Sequence, residues 1–248
     1  MKEQLMKITL AQLCVERNIS QNKEKILSVI DSAGSGDWIV FPECALTGYF
    51  PRDKKYLQDT DPEAVNVAIQ EINQAIRHAQ CTCIYGSATF ENGAWYNTAI
   101  IEGASGESYH YHKIRLHPLE QRHFDAGNVL GPYLVASIPV GIQICREIIY
   151  SEPWAQLKGA GAQLLVHVNN AIQPHDQIWK HLYITRALEN SAFVCSVNNA
   201  APPQQLASYL VSPSGAVLVE SELQKEQVLS CEIDLGEVIL DLDKRTDY

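Results

Sequence analysis

Hydrophobic positions along this chain change period repeatedly, and the changes mark out alternating strands and helices. "KITLAQLCV" is a compact apolar run that predicts a strand. In the following "NISQNKEKILSVIDSAGSGD", Ile19, Ile26, Leu27 and Ile30 recur at helical spacing and the Gly-Ser cluster ends the element. "WIVFPE" reads as a short buried strand. "DPEAVNVAIQEINQAIRHAQ" predicts a second helix, with Asp61 as N-cap, Pro62 at the first helical position, Glu63 in the first turn, and Val65, Ile69, Ile72 and Ile76 on one face. "CTCIYGSATF", "AWYNTAIIEG" and "SYHYHKIRL" are strands separated by an Asn-Gly turn and a second glycine-containing turn, the pattern of an antiparallel meander. After the apolar strand "VGIQIC", helices return in "SEPWAQLKGAG" and "HDQIWKHLYITRALENS". Strands "QLLVHV", "AFVCSVN", "LASYLVSP", "GAVLVES" and "QVLSCEIDL" complete an α/β chain with mixed pairing. With no fixed-period repeat and no low-complexity linker, a single domain over residues 1–248 is expected.

Charge narrows the partners. Nineteen Lys plus Arg against 29 Asp plus Glu give a formal net charge of −10, which disfavours nucleic acid and anionic membrane surfaces. No apolar run reaches the roughly 18 residues of a membrane helix. The opening "MKEQLMKITLAQLCVERN" is charged at Lys2, Glu3 and Lys7 and has no small-residue cleavage site, so it reads as a first strand and not a signal peptide. Seven scattered cysteines, an odd number, point to a reducing cytoplasm and not a disulfide framework. Cys81 and Cys83 fall at strand spacing with no second Cys or His pair, so no metal site is expected.

Three stretches share one grammar, an apolar strand that ends on a reactive side chain: "WIVFPECALTGY" with Glu43, "SYHYHKIRLHP" with Lys113, and "VGIQICREIIY" with Cys145. Converging on one sheet edge, they would assemble a carboxylate, an ammonium and a thiol, which is to say a base, an electrostatic stabiliser and a nucleophile. An adjacent ammonium favours a thiolate, and partial burial raises the basicity of a carboxylate. The backbone N–H of Arg146 would join Lys113 in facing an oxyanion, while Glu147 anchors the turn. Singly, each has an ordinary structural reading: a packed cysteine, a loop carboxylate, a strand-edge charge.

Jointly they resemble the nitrilase superfamily, the carbon-nitrogen hydrolases. An apolar strand into Phe-Pro-Glu and a Leu-x-Gly-Tyr turn is matched by "VFPECALTGY". Tyr-x-Lys-x-x-Leu is matched by "YHKIRL", and a strand with Gly, then Ile-Cys and later Pro-Glu-like residues, is matched in part by "GIQICREIIYSEP". "LEQRHFDAGN" is similar to the family's Glu-x-x-x-Phe-x-x-Gly-Asn segment. The resemblance continues through "RALENSAFVCSVNNA" and "SYLVSPSGAVLVES" and so covers nearly the whole chain. It implies Glu43 as general base, Lys113 as catalytic lysine, Glu120 as a second, orienting carboxylate and Cys145 as nucleophile. It also implies a four-layer α/β/β/α sandwich of mixed sheets, a homodimer or higher homo-oligomer, and no metal or organic cofactor. The implied activity is thiol-dependent hydrolysis of a small linear amide through a Cys thioester.

Departures bear on the substrate. Arg146 stands where many members have an aromatic residue, Ile149 replaces an arginine, Ser151 a proline, and Arg115 a histidine. Tyr49, Arg146, Asn169 and Asn170 are the candidate substrate-binding residues, with Phe50, Arg52 and His112 near the expected pocket mouth. Arg146, Arg115 and Arg122 are candidate readers of a substrate carboxylate. "FPECALTGYFPRD" is also similar to the glutaminase domain of glutamine-dependent NAD synthetases; with no P-loop-like synthetase segment up to Tyr248, a free-standing amidase is expected. An N-carbamoyl amine hydrolase, a nitrilase, and a catalytically silent binding or scaffold protein of the same fold are the alternatives.

Overall fold

A computed structural model of the chain describes residues 4–171 and 176–238, with the side chains of residues 176 and 177 outside the description. The start of the helix expected from His175 therefore lies outside the described residues, as do both extremities of the expected 1–248 domain.

Two six-stranded sheets form the centre. The first has strand order β12-β1-β2-β3-β4-β5, built from β1 (Leu5–Gln12), β2 (Trp38–Val40), β3 (Thr82–Glu91), β4 (Ala94–Glu102), β5 (Ser108–His112) and β12 (Gln227–Asp234). The second has order β11-β10-β9-β8-β7-β6, from β6 (Tyr133–Val135), β7 (Ile138–Ile144), β8 (Leu164–Val168), β9 (Phe193–Val197), β10 (Tyr209–Val211) and β11 (Val217–Glu220). Each sheet has a parallel trio at its centre, β1-β2-β3 in one and β7-β8-β9 in the other, with antiparallel strands outside, so the pairing is mixed.

Side-chain alternation explains the layering. Ile8 and Leu10 of β1, Ile84 of β3 and Ile101 of β4 point into one buried cluster with Val140 and Ile142 of β7, Val166 and Val168 of β8 and Phe193 of β9. That cluster is the filling between the sheets. Residues of opposite parity face outward. Cys83, Tyr85 and Ile100 pack under helices α1 (Ile19–Asp31) and α2 (Pro62–Ala79), which contribute Ile26, Ile30, Val65, Ile72 and Ile76. Leu165 and Val194 pack under α3 (Ser151–Gly159) and α4 (Asp176–Asn190), through Trp154, Leu157, Tyr183 and Ala187. Helix, sheet, sheet, helix is the four-layer sandwich.

Local chemistry sets the element ends. Asp61 caps α2 by accepting from the Glu63 amide at 3.0 Å, with Pro62 in the first turn, a contact typically worth about 1 kcal/mol. The Asn92-Gly93 turn between β3 and β4 carries φ of 51° and 85°, as a tight hairpin turn requires. Two elements had no clear sequence signal: β6, only three residues long, and a 3-10 turn over Cys145–Ile149. Among the described residues no helix is long and apolar enough to cross a membrane.

Candidate active site

Strand direction places the reactive groups. β5 is antiparallel to β4, which is antiparallel to β3, so β5 runs with β2 and β3. Lys113, next after β5, and Glu43, three residues after β2, therefore emerge at the same sheet edge. Cys145 follows β7, in the facing sheet.

At that edge Lys113 is 1 % exposed and its Nζ donates to Glu43 Oε1 and Glu120 Oε1, each at 2.9 Å. Glu120 Oε2 accepts from the His117 amide at 2.6 Å. Asn97, on β4, donates through Nδ2 to the same two carboxylates, at 2.7 Å to Glu43 and 2.9 Å to Glu120, and its backbone carbonyl accepts from Lys113 N at 2.8 Å. Each of these four side chains is buried, and Glu43 Oε2 has no hydrogen-bond partner among the described residues.

Burial raises Glu43 above the ordinary carboxylate range; Lys113 pulls against this and Glu120 adds to it. Burial alone would raise Glu120 too, but there the Lys113 ammonium and the His117 and Asn97 hydrogen bonds prevail and its value falls. For Lys113, burial is outweighed by the two carboxylates, which hold it firmly protonated. Cys145 differs from the sequence expectation. Burial, reinforced by the Glu43 charge, pushes its thiol well up, and neither Lys113 nor a hydrogen bond from the Asn170 backbone reverses this. The expected bias toward thiolate is absent because burial outweighs the ammonium, whose charge two carboxylates already match.

The turn that carries Cys145 is strained and clamped. Cys145 has φ of 49°, a left-handed conformation uncommon for a side-chain-bearing residue. Glu147 holds the turn from behind: Oε2 accepts from Ile144 N at 2.7 Å and Tyr111 Oη at 2.9 Å, and Oε1 accepts from Ile114 N and Arg115 N, each at 2.9 Å. One buried carboxylate thus ties the chain beside Lys113 to the chain beside Cys145. From the other side, His167 Nε2 donates to the Cys145 carbonyl at 2.7 Å. Arg146 is the second residue of the 3-10 turn, a position whose amide N–H has no partner within the turn.

A cavity of about 650 Å³ opens over this site, lined by residues that include Tyr49, Lys113, Cys145, Arg146 and Asn170. The Lys113 ammonium lies 5.8 Å from the Tyr49 ring centre. Arg52 also lies on the wall. Asn169, expected to touch substrate, does not line the cavity. It is fully buried, its carbonyl accepting from Glu43 N at 3.2 Å and its side chain donating to Tyr183 Oη at 3.4 Å, because it continues a strand buried on both faces. Phe50 packs toward Tyr56, with ring centres 6.1 Å apart, and does not line the cavity. His112 points to the other side of β5, pairing with Thr98 and Glu91. Arg115 borders a separate small cavity, and Arg122 is exposed outside both. Asn97 and His167 carried no motif of their own; each is an internal strand residue whose partners come from other strands or the opposite loop.

A family model described as carbon-nitrogen hydrolase matches residues 7–240. The chain belongs to that family. Relatives include an (R)-stereoselective amidase from a Pseudomonas species, 29 % identical over 87 % of this chain and 81 % of the relative. Another is the 2-oxoglutaramate amidase of Bacillus subtilis, 28 % identical over 88 % of this chain and 86 % of the relative. Among solved structures, an amidase of the nitrilase superfamily from Nesterenkonia AN1 superposes with a TM-score of 0.83 at 20 % identity, covering 97 % of this chain and 94 % of that one. The nitrilase-type four-layer fold and the assignment as a carbon-nitrogen hydrolase with amidase relatives follow from these matches.

Proposed function

We propose that this carbon-nitrogen hydrolase cleaves the C–N bond of a small linear amide, with Cys145 as nucleophile and Glu43 as the one general base. The observation that carries the reading is the division of labour on Glu43. Oε1 is saturated by Lys113 and Asn97, while Oε2 is buried without a partner among the described residues, leaving an acceptor lone pair on a carboxylate whose basicity burial has raised. Because the resting thiol is held protonated, attack requires a base at that moment, and an ammonium already shared between two carboxylates cannot serve as one.

Cys145 Sγ attacks the amide carbonyl as its proton passes to Glu43 Oε2. The oxyanion is stabilised by Lys113 Nζ and the Arg146 N–H, a type of contact typically worth about 3–4 kcal/mol of barrier per donor. Glu43 then returns the proton to the departing amine, the C–N bond breaks and a thioester remains. Water, deprotonated by Glu43, attacks the thioester; the acid leaves and Cys145 regains its proton from Glu43. Glu120 keeps Lys113 in place. The two amidase relatives support an amide as substrate. Seven free thiols suit the cytoplasmic setting taken with this reading, and the homo-oligomer is taken from the family resemblance.

The test is ammonia release from a panel of amides, N-carbamoyl amines and nitriles. Hydrolysis of amides that vanishes in Cys145→Ala, and falls by orders of magnitude in Glu43→Gln, is the expected result. Turnover persisting in Cys145→Ala would overturn the nucleophile assignment, and preference for nitriles or carbamoyl amines would overturn the substrate class.

A further inference from the structure

We propose that the amide taken by this site bears a carboxylate on its acyl part, and that Arg52 and Arg146 hold that carboxylate at the cavity mouth. The inference rests on the amidase reading above and specifies its substrate class. For a chain of net charge −10, the wall of the large cavity is unexpectedly basic: Arg52, Lys113, His117 and Arg146 line it, and no Asp or Glu does among the described residues. Lys113 contributes little net charge there, since Glu43 and Glu120 both pair with it. What remains uncompensated is the two guanidinium groups.

Neither has an ion-pair partner within 4.0 Å among the described residues, and the acids beside them in sequence are engaged elsewhere. Asp53, next to Arg52, pairs with Arg17 at 2.5 Å and accepts from Lys55 N. Glu147, next to Arg146, is saturated by three backbone amides and Tyr111. Arg146 is half-buried, its guanidinium 5.9 Å from the Tyr150 ring centre, so its head group is oriented before any ligand arrives. His117 reports the same field: burial first, then Arg146, disfavours its protonated form, with Lys113 and Arg52 adding to the effect against Glu120. A planar guanidinium matches a carboxylate through paired N–H donors. Leu119, Ile149, Ile178 and Trp179 supply an apolar wall suited to a methylene spacer between carboxylate and amide.

The experiment separates recognition from chemistry. Succinamate, glutaramate and adipamate, each against its neutral methyl ester, are titrated calorimetrically into Cys145→Ala protein, and the same pairs are assayed for turnover with the wild type. At one spacer length at least, the carboxylate is expected to bind about tenfold more tightly than its ester. Adding Arg146→Met or Arg52→Met is expected to remove most of that preference, and Arg146→Lys to keep part of it. Equal binding of acid and ester at every length, or a preference unchanged in both Met variants, overturns the proposal, as does absence of binding to folded protein. Turnover of neutral amides alone would leave the hydrolase reading standing and sink the carboxylate. Tight, arginine-dependent binding without turnover would do the reverse.

Discussion

His167 gives a stability prediction that can be worked from its surroundings. The imidazole is fully buried; Nε2 donates to the Cys145 carbonyl at 2.7 Å, while Nδ1 lies 3.1 Å from Ser196 Oγ and 3.2 Å from Tyr183 Oη. With Nε2 carrying the hydrogen, Nδ1 is the acceptor, so the neutral ring satisfies both edges. Burial is the main reason its value drops to about 3, with the Lys113 ammonium adding to the drop and the Cys145 carbonyl opposing it. In the unfolded chain the same ring titrates near 6.5. Because the folded value is the lower, the unfolded state takes up the proton first as pH falls. The stabilisation is therefore complete above the unfolded value and is lost progressively from about pH 6.5 toward pH 3. Between pH 7 and pH 5 the loss from this one group is about 2 kcal/mol. Urea unfolding of wild type and His167→Gln at fixed protein concentration, at pH 7, 6 and 5, isolates it, since every other titrating group is common to both proteins. The variant is less stable at pH 7, but its profile should be flatter by about 2 kcal/mol over that interval. Parallel profiles would show that His167 is not held neutral in the folded protein and would refute the reasoning.

Three further substitutions test the supports of the site. Asn97→Leu removes the amide bridging Glu43 and Glu120; each buried carboxylate loses a donor, and a stability loss of about 1–3 kcal/mol per abandoned contact, read by urea unfolding, should accompany a fall in kcat larger than any change in KM. Glu147→Gln replaces an acceptor for three amides and a hydroxyl with a group that is half donor, so unfolding should come several degrees earlier by calorimetry; an unchanged midpoint would remove Glu147 as the clamp. Gly86→Ala places a methyl 2.2 Å from Cys44 N and 2.5 Å from the Pro42 carbonyl, forcing the Glu43 loop off β3, and should lower activity even where the protein remains folded by circular dichroism.

The fold was readable because its signals are local. Ile8 and Leu10, or Val166 and Val168, announce a buried strand face by their own spacing, and Asp61-Pro62 announces a helix start within two residues. Glu43, Lys113 and Cys145 were readable for a related reason: each follows an apolar strand directly and sits in a recognisable motif. Asn97, His167 and Gly86 lack that advantage. Asn97 reads as one more polar residue in a strand, and its importance comes from facing Glu43, 54 positions earlier, and Glu120, 23 positions later. His167 looks like a core histidine, and only the arrival of β7 beside β8 brings the Cys145 carbonyl to it. Asn169 shows the converse error. Its position after a strand suggested a substrate contact, but β8 is covered on both sides, so the residue supports the Glu43 loop from beneath.

These supports also bear on why the sheets meet where they do. Glu43, Lys113, Glu120 and Asn97 belong to the first sheet and its loops, and Cys145, His167 and Asn169 to the second. The proposed mechanism needs Glu43 and Cys145 held within a narrow geometry, yet no strand among the described residues carries both. Among the contacts that cross the gap beside the site, Glu147 grips the amides of Ile114 and Arg115 from the second sheet, and the Asn169 carbonyl takes the Glu43 amide. Both are polar, buried and directional, whereas the apolar filling between the sheets has no comparable preference for one sliding position. Burial drives the two sheets together, and hydrogen bonds of this kind favour the register at which Lys113, held by Glu43 and Glu120, and Cys145 line the same cavity.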